Sequence, residues 1–413
     1  MKVGERKKVG YRDFPINDNG VSVKKALKLI ENSDHYEKLY DCFKISGIED
    51  EFIPVTGANS LVNDVLAIDS KFTKFDVATK LKNVRCEKIL DKKSAIIEIS
   101  NIEDEDILKI TESDLIAGTT KYSVKSEFLD LFSADKFLNY CHDNEYDDII
   151  QTNLKSLDKK NSENDYQKQF RFLIDKDNNY FVRAITSVSR YKDYNIKFSV
   201  FVALISIHQI MKSQKEEYMV RYYTCSESDI RIVFTRMNYK KLMKGLEVGF
   251  ELELVNDEIK RDAVKFNGLF SLNFGKEDNL IIKPNLNAKM ASFSHQVGVD
   301  KVVGILQNLA EAINEFVNTI HKDAEYIKKA QSPQDLKNYL FDKVKKSKQK
   351  EFREKYRKQV QAFIQKENVN TIFQLLDLMN KVDLMIDDSD IKAKDFWRHK
   401  LYEILVESKK PNA

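Results

Sequence analysis

Residues 230–235 read IRIVFT and residues 250–254 read FELEL, and in both stretches every second residue is apolar. Side chains of a β-strand alternate between the two faces of a sheet, so this period predicts strands with one covered face. Four further stretches, separated by turns rich in Asn, Gly and Lys, share this character: Phe181–Val188, Met219–Cys225, Val264–Phe274 and Leu280–Lys283. The middle third of the chain is therefore predicted to be an antiparallel sheet.

One apolar run interrupts these strands, from Phe198 to Met211 with His208 inside it. Its length favours a helix packed on the sheet over another strand. The run is shorter than the roughly 18 apolar residues of a membrane span, and residues 1–8 lead into no hydrophobic signal core. A soluble protein that stays in the cytoplasm, without a membrane partner, is expected.

Beyond Pro284 the chain changes to a helical period. Apolar residues recur at intervals of three and four from Val302 to Ile320, which predicts a heptad seam. Ser332 followed by Pro333 is typical of a helix start, and one helix is predicted from Leu340 to Gln365. Two more helices, at about residues 371–382 and 392–407, complete a predicted C-terminal hairpin or bundle.

The first 165 residues mix short helices with strands such as Ala95–Ile99. The predicted class is α+β, with a mixed N-terminal domain (1–165) that carries an acidic segment, a β-rich core domain (166–285) and a helical C-terminal domain (286–413). The spread of apolar residues over 413 positions is enough for a substantial core.

Composition excludes several classes of protein. Lys and Arg total 68 against 65 Asp and Glu, a net charge of +3, so the chain is neither a uniformly basic DNA-coating protein nor a uniformly acidic mimic. The four cysteines stand far apart with no Cys-x-x-Cys pattern, which argues against a zinc ribbon and a disulfide framework. A reducing compartment is the default.

The small net charge hides large local imbalances. Residues 96–165 hold 7 basic against 17 acidic side chains, residues 166–250 hold 15 against 8, and residues 341–358 hold 9 against 3. These local balances of −10, +7 and +6 indicate that any affinity for phosphate belongs to the two basic segments.

In the first basic segment, cations alternate with aromatic residues. Cations neutralise phosphates and aromatic or guanidinium planes stack on bases, so such a mixture on a sheet is typical of single-strand binding surfaces. The predicted nucleic-acid contacts are Arg171, Arg183, Arg190, Tyr191, Lys192, Arg221, Arg231 and Arg236. The alternative is a sheet-surface network, because long polar side chains also cover the outer face of ordinary strands.

The second basic segment lies on the predicted helix that follows Leu340. Its predicted contacts are Lys345, Lys346, Lys348, Arg353 and Arg357. Such a helix can follow a phosphate backbone or bind an acidic partner, including this chain's own residues 96–165. The alternative is a solvated helix face.

Signatures of chemistry are scarce. The sequence has no phosphate-binding loop, no dinucleotide fingerprint and no nucleophile elbow. Cys141-His142-Asp143 with nearby carboxylates is a weak candidate for a metal site, and Glu251 and Glu253 with Lys260 loosely resemble a metal nuclease centre. We therefore predict no catalytic residue, no metal ligand and no cofactor.

Two runs of sequence resemble a widespread family of unknown function that phages and plasmids carry. The first is Val182–Ser187 with Arg190-Tyr191 and Asp193-Tyr194-Asn195, and the second is Ser228–Phe234 with Gly249 and Val255–Ile259. The stretches Asn370–Leu378 and Arg398–Leu405 are similar to the family's closing helices. The resemblance implies a mobile genetic element as context and no particular reaction.

The leading hypothesis is a cytoplasmic, non-enzymatic nucleic-acid-binding protein of a phage, plasmid or defence island, acting as a homo-oligomer, with single-strand binding or annealing as a narrower version. One alternative is a protein-interaction subunit of an antiphage defence or counter-defence complex, assembled through the acidic segment or the helical tail. The other is a metal-dependent nuclease. The sequence does not separate DNA from RNA.

Overall fold

A computed structural model describes residues 2–188, 190–259, 263–275, 279–284, 289–328, 332–388 and 390–409. The strands, in chain order, are β1 (Lys7–Gly10), β2 (Val21–Ser22), β3 (Phe52–Ile53), β4 (Thr73–Lys80), β5 (Val84–Ile89), β6 (Ala95–Ile99), β7 (Ile116–Thr120), β8 (Gln167–Ile174), β9 (Tyr180–Thr186), β10 (Tyr218–Cys225), β11 (Asp229–Arg236), β12 (Lys240–Met243), β13 (Leu246–Asp257), β14 (Val264–Asn273), β15 (Leu280–Ile282) and β16 (Lys289–Phe293).

The helices are α1 (Val23–Leu27), α2 (Tyr36–Cys42), α3 (Ala58–Asp69), α4 (Glu105–Thr111), α5 (Val124–Asp130), α6 (Asp135–Asp143), α7 (Asp147–Asn161), α8 (Ile196–Gln214), α9 (Val299–Gln307), α10 (Leu309–Lys328), α11 (Pro333–Lys345), α12 (Lys350–Lys355), α13 (Arg357–Lys366), α14 (Ile372–Met385) and α15 (Ile391–Leu405). The predicted α+β class is confirmed.

The larger sheet is antiparallel and has the strand order β1-β10-β11-β13-β14-β15, with β12 paired to β13 and β16 paired to β14. Phe250, Leu252 and Leu254 of β13 point into the main core, where α8 packs on the sheet. The predictions of strands at residues 230–235 and 250–254, and of a helix at residues 198–211, are thus confirmed. The N-terminal strand β1 closes one edge of the sheet by pairing with β10.

A second sheet has the order β4-β8-β9-β7-β6-β5 and a core of its own. The stretch Phe181–Val188, which includes most of β9, was predicted to belong to the middle sheet, and this placement is wrong. All of β8 pairs with β4, from Thr73 opposite Ile174 to Lys80 opposite Gln167, and β9 runs parallel to β7. The predicted boundary between residues 165 and 166 therefore falls within this sheet.

The predicted single helix from Leu340 to Gln365 is also wrong, because the chain forms three helices there, α11, α12 and α13. The side chain of Gln349 accepts a hydrogen bond from the backbone N–H of Phe352 and so begins α12. Near its end, the hydroxyl of Tyr356 bonds to the carboxylate of Asp390 in the loop before α15. The cap at Gln349 and the contact of Tyr356 with the distant Asp390 divide into separate helices a stretch whose sequence pattern is helical throughout.

The heptad seam is likewise divided between α9 and α10, which pack on the large sheet of the same chain. By length and composition α8 passes as a membrane span, but 78% of its apolar window is buried inside the protein. A core helix of a globular protein has the same properties.

Candidate nucleic-acid interface

Where the two sheets meet, the fully buried carboxylate of Glu258 is surrounded by cations. One oxygen accepts a hydrogen bond from Nη1 of Arg183 in β9, and Nζ of Lys74 in β4 lies 3.2 Å from both oxygens. The backbone N–H of Ile196, at the start of α8, donates to the other oxygen at 2.9 Å. This cluster joins β4 and β9 of one sheet to the end of β13 in the other.

Arg171 of β8 is part of the same cluster. Its guanidinium donates to Asp76 at 3.0 Å, to Asp193 at 2.7 Å and to the backbone carbonyl of Glu258 at 2.9 Å. It also donates to the hydroxyl of Tyr191, which in turn donates to the same carbonyl at 2.8 Å. Arg171 is 2% exposed, so no ligand can reach this guanidinium in the folded state.

The cluster shifts the acidity of its carboxyl group. Burial alone would raise the pKa of Glu258, but the charges of Lys74, Arg183 and Arg171 outweigh it and hold the pKa well below the ordinary value. Glu258 is therefore ionised throughout the neutral range. A buried carboxylate in such a setting ties together the elements that carry its partners.

A second buried network lies on the other face of the large sheet, under α15. Nε of Arg231 donates to Glu253 at 2.6 Å, and its Nη2 donates to Asp395 of α15 at 2.9 Å. Lys283 bridges the same two carboxylates, at 3.2 and 2.7 Å. Burial would raise the pKa of Glu253, but Arg231 and Lys283 lower it well below its usual value.

Two further arginines of the large sheet are also paired. Arg221 donates to Glu251 at 3.0 Å, and Arg236 donates to Glu216. The five predicted contacts that lie in strands, Arg171, Arg183, Arg221, Arg231 and Arg236, are thus all engaged with carboxylates inside the protein. Arg171, Arg183 and Arg231 are buried and offer no surface to a phosphate, whereas Arg221 and Arg236 are partly exposed but would have to give up an ion pair to bind one.

Of the loop between β9 and α8, Arg190 and Lys192 are exposed, whereas Tyr191 is partly buried. The ring of Tyr191 stacks on His295, with the centroids 4.9 Å apart and the planes within 6°. The guanidinium of Arg171 lies 4.6 Å from the same ring. Tyr191 therefore already has ring partners, and the two cations beside it face solvent, as does Asp193.

A dense group of exposed cations on the C-terminal helices lies between residues 343 and 358, called here the basic segment; others, such as Lys322, Lys366 and Lys392, are scattered along α10, α13 and α15. Val344 and Phe352 bury the inner side of the basic segment. Besides Lys355, which is exposed but paired with Asp390, six cations on its outer side are exposed: Lys345, Lys346, Lys348, Lys350, Arg353 and Lys358. Among the described residues, these five lysines have no carboxylate partner within 4.0 Å; Arg353 contacts only its neighbour Glu354, at 3.4 Å. Arg357 is partly buried. Lys343 and Lys355 pair with Glu403 and Asp390.

A cavity of about 350 Å³ also contains cations but has a different character. It lies between β1 and α14–α15, and its cations are matched by carboxylates: Arg398 pairs with Asp383 at 3.0 Å and Lys394 with Asp388 at 2.9 Å. Because opposite charges alternate along its wall, the cavity lacks the uniform positive potential that attracts a phosphate chain.

The two patterns considered for metal chemistry are not brought together as a site. Glu251 and Glu253 are buried in ion pairs, and Lys260 lies outside the described residues. Cys141 faces the core of the smaller sheet. Over the described parts of the chain, no group of three or more His, Cys, Asp or Glu side chains is arranged to hold a metal ion.

The sequence runs 182–195 and 228–259 converge in space: Arg183 and Tyr191 donate directly to Glu258, and Asp193 is joined to it through Arg171. Next to them, the side chain of Asn256 donates to the backbone carbonyl of Tyr194 and to the hydroxyl of Ser199. No protein-family model, no curated protein and no solved structure matches the chain. The residues of both sequence runs named above therefore lie together at the junction of the two sheets.

Proposed function

We propose that this chain is a non-enzymatic nucleic-acid-binding protein that contacts phosphates through the basic segment, residues 343–358. The observation that carries the proposal is the row of exposed lysines that lack a carboxylate partner. The sequence resemblance supports a phage, plasmid or defence island as its setting.

The physical basis is the release of counterions. Each lysine that neutralises a phosphate frees a condensed cation from the nucleic acid, so the gain in free energy grows with the number of contacts. An unpaired surface lysine has little to lose on binding, whereas a lysine already in an ion pair must first give up that partner. The basic segment is therefore better suited to phosphate contact than the arginines of the strands.

Arg190 and Lys192 offer a second, smaller group of exposed cations. They belong to the loop between β9 and α8, whose position is held by Tyr191 and Asp193 in the Glu258 cluster. The buried arginines thus support a phosphate surface indirectly, by fixing the loop that carries these two side chains.

The test compares two charge reversals of equal size. The first variant, Lys345→Glu/Lys346→Glu/Lys348→Glu, reverses three charges of the basic segment. The second, Lys155→Glu/Lys159→Glu/Lys160→Glu, reverses the charges of three exposed lysines of α7, a helix that packs on the six-stranded sheet. We expect the first variant to lose affinity for labelled DNA or RNA by at least roughly tenfold at 0.1 M salt, because three phosphate contacts are lost. The second variant should bind like the wild type. Fluorescence anisotropy measures both, and equal losses in the two variants would contradict the assignment to the basic segment.

A further inference from the structure

Helices α6 and α7 carry an apolar surface that faces solvent. Four side chains form it, which we call the acidic aromatic face: Phe137, Tyr140, Tyr146 and Ile149, exposed by 48, 58, 44 and 43%. Phe137 and Tyr140 are one turn apart on α6, and the rings of Tyr140 and Tyr146 meet at 6.3 Å. The opposite sides of the two helices, with Leu138 and Leu154, are buried in the core of the smaller sheet.

Carboxylates lie beside this face, where α6 meets α7. Asp143 ends α6, Glu145 lies in the turn, Asp147 and Asp148 begin α7, and all four are exposed. Asp143 pairs with Lys92 at 2.8 Å, but the other three have no cation within 4.0 Å among the described residues. Clustered exposed aromatic residues with a polar rim are typical of protein contact sites. The negative rim requires that the partner surface be cationic.

The basic segment of the same chain has the complementary chemistry. It presents unpaired lysines, and the adjoining Tyr339 is 40% exposed, so it offers both positive charge and an aromatic group. Across the described residues, no ion pair or hydrogen bond joins positions 131–149 to positions 343–358. Because no such bond joins the acidic aromatic face to the basic segment within one molecule, each is available to bind the other surface on a second molecule.

We propose that the acidic aromatic face of one copy binds the basic segment of a second copy. The contact uses a different patch on each molecule, so it is a head-to-tail contact that continues into a ring or a short filament. The aromatic side chains provide the buried anchors and the charges set the orientation. Nucleic acid and a second copy then compete for the same lysines, which links assembly to the proposed binding function.

The test uses nuclease-treated protein, so its outcome is independent of nucleic-acid binding. Variant A, Phe137→Lys/Tyr140→Lys, alters only exposed positions of α6 and introduces like charge opposite the basic segment. Variant B is Lys345→Glu/Lys346→Glu/Lys348→Glu. Light scattering after size exclusion should give a mass above the monomer for the wild type at 50 mM salt, and the monomer mass at 500 mM salt. Variants A and B should each remain monomeric at both.

Mixing the variants distinguishes this contact from any symmetric one. Variant A retains its basic segment and variant B retains its acidic aromatic face, so an equimolar mixture should form a dimer of one A and one B that grows no further. Lys155→Glu/Lys159→Glu/Lys160→Glu is the control and should assemble like the wild type. If circular dichroism shows that variant A is unfolded, the variant Ile149→Lys tests the acidic aromatic face instead. We expect this variant to be monomeric as well. A wild type that is monomeric at 50 mM salt and 100 μM protein, or a mixture of A and B that stays monomeric, would overturn the proposal.

Discussion

Glu258 and Glu253 show how single carboxylates organise this chain. Each is fully buried, each is held ionised by at least two cations, and each joins elements that are distant in sequence. Removing the carboxylate charge from such a cluster leaves the remaining cations only partly compensated in a medium of low polarity, so the cost exceeds that of a surface pair. Arg171, Arg183 and Arg231 consequently stabilise the fold.

Glu258→Gln should lower the free energy of unfolding by about 3–5 kcal/mol, because the buried Arg183 would keep its charge without a counter-charge and Lys74 would retain only Asp69, at 3.3 Å. Urea denaturation followed by circular dichroism measures the change. The matched control is Glu163→Gln at an exposed position, where a change within about 0.5 kcal/mol is expected. A Glu258→Gln variant as stable as the control would show that the cluster contributes little to folding.

The same carboxylates predict how stability depends on pH. Both pKa values are lower in the folded state than in the unfolded state, so the stabilisation is complete above the ordinary glutamate pKa of about 4.3 and is lost as the pH falls below it. The free energy of unfolding of the wild type should therefore decline between about pH 5 and pH 3. Glu258→Gln should show a shallower decline over that interval; parallel curves would exclude Glu258 as a source of the pH dependence.

At the scale of elements, the sequence predicts the strands well and their surroundings poorly. Alternation in FELEL correctly places Leu252 in the core, but it implied that Glu251 and Glu253 face solvent. In the structure α15 covers that face, and its Asp395 shares Arg231 and Lys283 with Glu253. A signal was present, since acidic residues on one strand and Arg231 on its neighbour occupy the same face. The covering helix lies about 140 residues further along the chain, which no local pattern reveals.

Strand β7 illustrates a packing constraint that its short sequence, IAGTT, does not announce. A Cβ at Gly118 would lie 2.9 Å from the ring of Phe172 and 3.0 Å from Val182, and both of these side chains are fully buried. The glycine permits β7 to pack closely against the core of the six-stranded sheet.

Gly118→Val should therefore lower the free energy of unfolding by about 1–3 kcal/mol through overpacking. Ala117→Val is the control on the same strand, where the side chain is exposed and valine favours the extended conformation, so a neutral or slightly positive effect is expected. Thermal unfolding followed by circular dichroism compares the stability of the two variants. A Gly118→Val protein that melts with the wild type would contradict the tight packing of β7.

At the scale of the whole molecule, the six-stranded sheet with its helices and the larger sheet with its helices meet at the Glu258 cluster. The exposed acidic and basic regions lie on different sides of this junction. The acidic aromatic face lies on the module of the six-stranded sheet, and the basic segment lies on the C-terminal helices. The net charges of residues 96–165 and 341–358, counted from the sequence, indicated both regions. They could not distinguish exposed cations from paired ones, because the partners of the strand arginines come from other strands and helices.

The dependence of binding on salt tests the central claim most directly. If the five exposed, unpaired lysines of the basic segment contact phosphates, a plot of the logarithm of the binding constant against the logarithm of salt concentration should have a slope of roughly −4.5 on duplex DNA. Lys345→Glu/Lys346→Glu/Lys348→Glu should reduce the size of that slope by about three, whereas Lys155→Glu/Lys159→Glu/Lys160→Glu should leave it unchanged. Binding that is insensitive to salt, or a slope that the first variant does not change, would contradict the account.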